Sequence, residues 1–198
     1  YGFDLTQPTK VFVGTRNQTD YSTILVSRLV KNNPNKKVFV WSPKSVGSFG
    51  SGAIIIEDID EWILAMYKNV SMEDKQKVIL VVDGFREFFS RISEVSELRM
   101  ENGLLEEAAF SVVTFDSVDS VEEWERYTVT GLYVHLVRSV KGVIVGGQVT
   151  GDLESMLASS VRDIPVEYRK IPLLNNQVFM YDEEQYAVVE IEEEAGDD

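Results

Sequence analysis

Short apolar runs rich in β-branched residues recur along this chain, at positions 11–13, 38–41, 53–56, 78–82, 110–115 and 143–145. A strand with one wet face alternates apolar and polar residues, whereas near-continuous runs belong to strands covered on both faces. The stretches between the runs have a different period. Over 20–31, Tyr21, Ile24, Leu25 and Leu29 share one helical face, and over 58–68 Ile59, Ile63 and Met66 do the same. Further helices are expected from Gly84 toward Ala109, over 121–137 around Trp124, Leu132 and Leu136, and briefly over 152–157. Strands that alternate with helices of this length are joined by crossovers, which make them parallel. The expected fold is therefore α/β, a mainly parallel sheet flanked by helices. After Ser160 come Pro165 and Pro172, then two strand-like runs, 177–181 and 185–191, separated by Asp182-Glu183-Glu184. That pattern predicts an antiparallel hairpin appended to the main sheet. Residues 1–191 are read as one domain, 192–198 as an acidic disordered tail, and the Ser- and Gly-rich stretch 42–52 as a mobile loop.

Charge and composition narrow the function. Of the net charge of −14, nine acids fall within 182–198, which hold no Lys or Arg, leaving −5 over residues 1–181. Protein affinity for a phosphate backbone comes mainly from Lys and Arg, so nucleic acid is not an expected partner. Zero cysteines exclude disulfides and thiolate metal sites, and fit a reducing compartment. The single histidine, His135, argues against a histidine zinc centre or a Ser/His/Asp triad. No run approaches eighteen apolar residues and no charged-then-apolar leader is present. Because the first residue is Tyr1 rather than Met, a longer parent polypeptide is expected, with any membrane anchor in its other parts.

The first apolar run leads into Gly14, and the chain continues Thr15-Arg16-Asn17-Gln18-Thr19-Asp20-Tyr21-Ser22 before the first helix. A phosphate-binding P-loop reads GxxxxGK[ST] in this setting; its backbone N–H groups cradle phosphates, its Lys neutralises them and its hydroxyl holds Mg²⁺. Gly14 matches, but Thr19, Asp20 and Tyr21 occupy the next three motif positions. A carboxylate in place of the lysine sets like charges together, at a cost of about 4 kcal/mol per pair at about 4 Å and an effective dielectric of about 20. Asp20 also suits a helix start, where orphan N–H groups and the positive dipole end favour an anion, so it is read as filling the place of a phosphate. The run 78–82 ends in Asp83, the pattern of a Walker B strand, whose Asp supports Mg²⁺ and whose next residue is commonly the Glu that polarises water. Here that next residue is Gly84. Both halves of the phosphate chemistry are thus impaired, in the expected order.

Plainer readings stand beside these. Asp83 can be a strand-end carboxylate accepting hydrogen bonds from the loop after Gly14, with no metal. Asp116 does not begin a DxSxS metal-adhesion motif, since Val118 and Ser120 occupy the required positions; Ser117 or Ser120 is read as a helix cap. The triplets Asn17-Gln18-Thr19 and Asn69-Val70-Ser71 match glycosylation acceptors in form only. Trp41, Trp62 and Trp124 are read as core residues. Phe85, Phe88 and Phe89 cannot all face one way on a helix, which makes them candidates for a partner contact, with burial the competing reading.

Taken together these residues resemble the FtsK/SpoIIIE branch of RecA-like P-loop motor ATPases. Within that branch the chain is most similar to the last ATPase-like domain of the EssC family, the membrane-bound type VII secretion proteins of Firmicutes. The resemblance also draws on Tyr1-Gly2-Phe3-Asp4, the Gly142–Gly146 run with Gly147, Gly151-Asp152-Leu153 and Leu174-Asn175-Asn176-Gln177. It implies one of several ATPase domains in tandem, a distal one with eroded Walker motifs. It further implies that the domain binds small helical-hairpin substrates of the WXG type or regulates adjacent ATPase domains, at the cytoplasmic side of the cell membrane. No catalytic or metal residue is carried over; Gly14, Arg16, Thr19, Asp20, Tyr21, Ser22, Asp83 and Gly84 mark a vestigial nucleotide site, with ATP and Mg²⁺ weak or absent. The rival reading is an active NTPase in which Ser22 or Thr23 and Asp83 hold Mg²⁺, Arg16 replaces the lysine and a neighbouring subunit completes the site. A structural spacer is the third.

Overall fold

The computed structural model describes residues 3–15, 22–43, 49, 52–85, 87, 88, 91, 109–117, 142–146, 173, 174, 176–182 and 185–191. The expected helices over 121–137 and 152–157, residues 44–48, 50 and 51 of the loop 42–52, most of the helix after Gly84 and the tail 192–198 lie outside them.

Eight strands form one sheet in the order β3-β2-β4-β5-β1-β6-β7-β8. They are β1 (Lys10–Thr15), β2 (Lys37–Trp41), β3 (Ala53–Ile55), β4 (Val78–Asp83), β5 (Ser111–Ser117), β6 (Gly142–Gly146), β7 (Gln177–Asp182) and β8 (Gln185–Glu190). All pairings from β3 through β6 are parallel. The hairpin β7–β8 joins antiparallel at the β6 edge, so the expected appended hairpin is part of the same sheet.

Both faces are covered, for the reason the apolar runs implied. Along β2, Val38 and Val40 point to one face, with Val13, Ile79, Val81 and Val113, and Phe39 and Trp41 point to the other. The first face packs under α1 (Ser22–Asn32), which buries Val26 and half-buries Ile24, Leu25 and Leu29. The second meets α2 (Ile59–Asn69): Trp62 lies 5.3 Å from Phe39 and 6.0 Å from Phe110, ring centre to ring centre. Ile59 and Ile63 of α2 are fully buried.

The helix ends are chemically marked. Asp58 caps α2 by accepting from the N–H groups of Asp60 and Glu61, and Asn33 Nδ2 donates to the Leu29 carbonyl at the end of α1. A four-residue helix, α3 (Met72–Lys75), was not expected from periodicity, being too short to show one. Its signal was Ser71-Met72-Glu73-Asp74: Ser71 Oγ caps the helix by accepting from the Asp74 N–H and also donates to the Asp74 carboxylate. Among the described residues no helix is long and apolar enough to cross a membrane.

Candidate nucleotide site at the carboxyl edge of the sheet

Ligands of open parallel sheets bind beyond the carboxyl ends of the strands, where the strand order reverses. The reversal here is at β1, which has β5 on one side and β6 on the other. Its penultimate residue, Gly14, is buried and stands opposite Asp116 of β5 and Val145 of β6. Asp83, the last residue of β4, stands opposite Phe115, which is opposite Val13. Asp83 therefore sits one residue short of the level of Gly14 and two strand spacings away, about 10 Å. The two motif fragments share one edge of the sheet, separated by β5.

Asp83 is 4% exposed, a place where a carboxylate is costly unless hydrogen-bonded. Ser42, just past the end of β2, donates its hydroxyl to Asp83 Oδ2 at 2.9 Å. Ser42 is a residue the sequence reading did not assign to this site: it lies 41 positions away, and only the pairing of β2 with β4 brings the two together. Asp116, which begins no metal-adhesion motif, is the β5 residue beside Gly14. The pleat sends Asp83 to the face of Ile79 and Val81, and Asp116 to that of Val112 and Thr114, so the two do not converge. Among the described residues no three of His, Cys, Asp and Glu gather closely enough to hold a metal ion.

Gly84 has a structural reason to be glycine. Its φ is +94°, a conformation that side-chain-bearing residues rarely adopt. A Cβ built there would stand 3.1 Å from Cγ and 3.2 Å from Cδ of Pro43, and 3.1 Å from Oε2 of Glu87. The Gly84 N–H donates to the Phe115 carbonyl at 3.0 Å, and its own carbonyl accepts from the Phe88 N–H at 3.1 Å, opening a helical turn. In this turn between strand and helix any side chain at position 84 is therefore strained. Glu87, three residues on, is placed for the favourable end of the helix dipole.

The remaining predicted residues divide as follows. Ser22 opens α1 and is 2% exposed. Arg16, Thr19, Asp20 and Tyr21, and with them the expectation that Asp20 takes the place of a phosphate, lie outside the described residues. Of the two readings of the aromatic cluster, burial holds for Phe85 and Phe88 and the partner contact does not: they are 4% and 1% exposed, and Phe88 packs on Trp41 at 5.5 Å and on Phe85 at 6.5 Å. They are core because the turn at Gly84 folds the helix back onto the second face of the sheet. Phe89 lies outside the described residues.

The strand order and the site edge define a P-loop NTPase-like fold, and solved structures of that class superpose on the chain. The genome packaging NTPase B204 of Sulfolobus turreted icosahedral virus 2, in complex with AMP, matches at TM-score 0.56 and 12% identity over 92% of this chain and 96% of its own. Thermomonospora curvata EccC, ATPases 2 and 3 in complex with a signal sequence peptide, matches at TM-score 0.57 and 11% identity over 94% of this chain and 37% of its own. The cytoplasmic domain of the same type VII secretion ATPase matches at 0.56 and 10%, over 96% and 24%. EssC (ATPases 2 and 3) from Geobacillus thermodenitrificans matches at 0.53 and 12%, over 93% and 39%. The chain thus spans 24% to 39% of these EccC and EssC chains. No protein-family model matches it, and no curated protein matches it in sequence.

Proposed function

We propose that this chain is a catalytically silent, ATPase-like module of a type VII secretion motor, which binds secretion substrates or regulates adjacent ATPase domains. The observation that carries the proposal is Gly84: the backbone holds φ +94° against Pro43, where hydrolysis needs a glutamate. Support comes also from Thr19-Asp20-Tyr21 in the loop positions that bind phosphate, and from the fold shared with EccC, whose ATPases 2 and 3 were captured with a signal sequence peptide. In this reading the parent protein attaches to the membrane and this part faces the cytoplasm. Substrate docking changes motor activity to the extent that the substrate prefers one motor state over another.

A second reading, an NTPase completed by a neighbouring subunit, is favoured by Gly14 and Asp83 sharing one sheet edge and by the nucleotide complex of the packaging NTPase. Calorimetry with ATP and Mg²⁺ separates the two. Silent binding predicts no saturable heat in the micromolar range, together with saturable binding of a purified WXG-type substrate to the chain alone or joined to its neighbouring domain. Micromolar ATP binding abolished by Asp83→Ala reverses the conclusion.

A further inference from the structure

Ahead of β1, residues 4–9 fold into a turn held by its own side chains. Asp4 Oδ1 accepts from the Thr6 N–H at 2.8 Å, and the Thr9 hydroxyl donates toward the Asp4 and Gln7 carbonyls, at 3.2 and 3.1 Å. Pro8 stiffens the backbone just before Thr9. Thr9 is where the turn is fastened to the sheet: its N–H donates to Ser111 Oγ at 3.2 Å, and its carbonyl accepts from the Val112 N–H at 2.9 Å. Ser111 is completely buried, so this anchor belongs to the core.

From that anchor the segment reaches onto the α1 face, where a half-open cavity of about 330 Å³ lies between α1 and β8. The buried Leu5 and the half-buried Phe3 form one wall of it, with Leu25 and Leu29 of α1 and Val11 and Val13 of β1 among the others. Apart from the bonds to Thr9, one polar tie among the described residues joins residues 3–8 to the rest of the molecule: the Lys36 ammonium donates to the Leu5 carbonyl. Lys36 stands on a stiff base, since its own N–H donates to the Asn33 carbonyl at 2.9 Å and the Lys37 N–H to the Lys77 carbonyl at 2.8 Å. Burial holds its pKa below the ordinary 10.5, against the pull of Asp4. One buried leucine, one half-buried phenylalanine and one hydrogen bond thus oppose the entropy of ordering six residues. Terms so nearly balanced are the mark of a segment that opens locally.

We propose that residues 3–8 are a hinged lid, anchored at Thr9 and latched by Lys36, which swings off the α1 face as a unit while the sheet stays folded. In the closed state Phe3 and Leu5 are the chain's own cover over the apolar walls of α1 and β1. Those two elements bound the loop 16–21 of the candidate site, so the lid bears on both sides of it.

The chain has no cysteine, so one introduced thiol reports opening by its rate of reaction with dithionitrobenzoate. Leu5→Cys places the thiol in the lid; Val26→Cys or Val38→Cys, at fully buried positions, places it in the core. The expected result is labelling of the Leu5→Cys chain at least tenfold faster than of either core variant. Its rate should also rise only weakly with urea below the unfolding midpoint, whereas the core rates rise steeply, because the slope follows the surface exposed by each opening. Adding Lys36→Met should speed labelling at position 5 at least threefold and keep the weak urea dependence, and Lys36→Arg, which keeps a charged donor, should restore most of the protection. Equal rates or equal urea slopes at lid and core positions overturn the proposal, since the turn would then open only with the sheet. Labelling at position 5 that is indifferent to Lys36→Met overturns the latch. A Leu5→Cys chain without folded far-UV circular dichroism overturns the lid as well, because a lid is dispensable to the sheet it covers.

Discussion

Gly84 follows a strand whose last side chain, Asp83, is buried and tied to Ser42, and the chain must turn there into the next helix with the Pro43 ring against it. An alanine at 84 would carry the cost of a left-handed backbone, about 1–3 kcal/mol, and press its Cβ on a ring that cannot rotate away. Gly84→Ala and Gly84→Glu are therefore expected to lower stability by at least that amount in urea unfolding, and Gly84→Glu to leave ATP hydrolysis absent. An unaltered midpoint, or hydrolysis restored by the glutamate, would refute the steric account. The sequence alone displayed only the glycine; the φ angle and the nearby proline show what a side chain there would cost.

Among the elements, the short α3 shows how far local chemistry goes. The Asp74 carboxyl is held below its ordinary value of 3.8, first by the Ser71 hydroxyl and then by Lys77, and Lys77 is held above its ordinary 10.5 by Asp74 and then Glu73. A depressed carboxylate contributes stability that is present above its unfolded value and lost as pH falls through its lower folded value. A raised amine contributes below 10.5 and is lost as pH rises through its higher folded value. Helix α3 is thus expected to fray below about pH 4 and again above about pH 10.5. Ser71→Ala, which removes the cap, should weaken α3 by about 1 kcal/mol at neutral pH, seen as roughly fivefold faster amide exchange at Asp74. Exchange there that is indifferent to both would show that tertiary packing, not the cap, holds the turn. The same logic explains what was legible at this scale: α1, α2 and the buried strands announce themselves through periodicity, whereas a single turn has only its cap to declare it.

At the scale of the whole molecule, the hairpin β7–β8 extends a parallel sheet by two antiparallel strands. Phe179, opposite Val145 of β6, is completely buried. Phe179→Ala is expected to cost about 3–5 kcal/mol and to lower the melting temperature of the entire sheet in one transition; a separate early transition would show the hairpin to be an independent unit. Spacing and composition, by themselves, determined the α/β class, the parallel strands and the hairpin. These depend on residues near one another in the chain, whose periodicity reports which faces are buried. Only the tertiary structure decided the strand order, the Ser42–Asp83 bond, the burial of Phe85 and Phe88, and the cavity between α1 and β8. Each of those depends on which strands become neighbours, a choice made by long-range packing that no local pattern encodes.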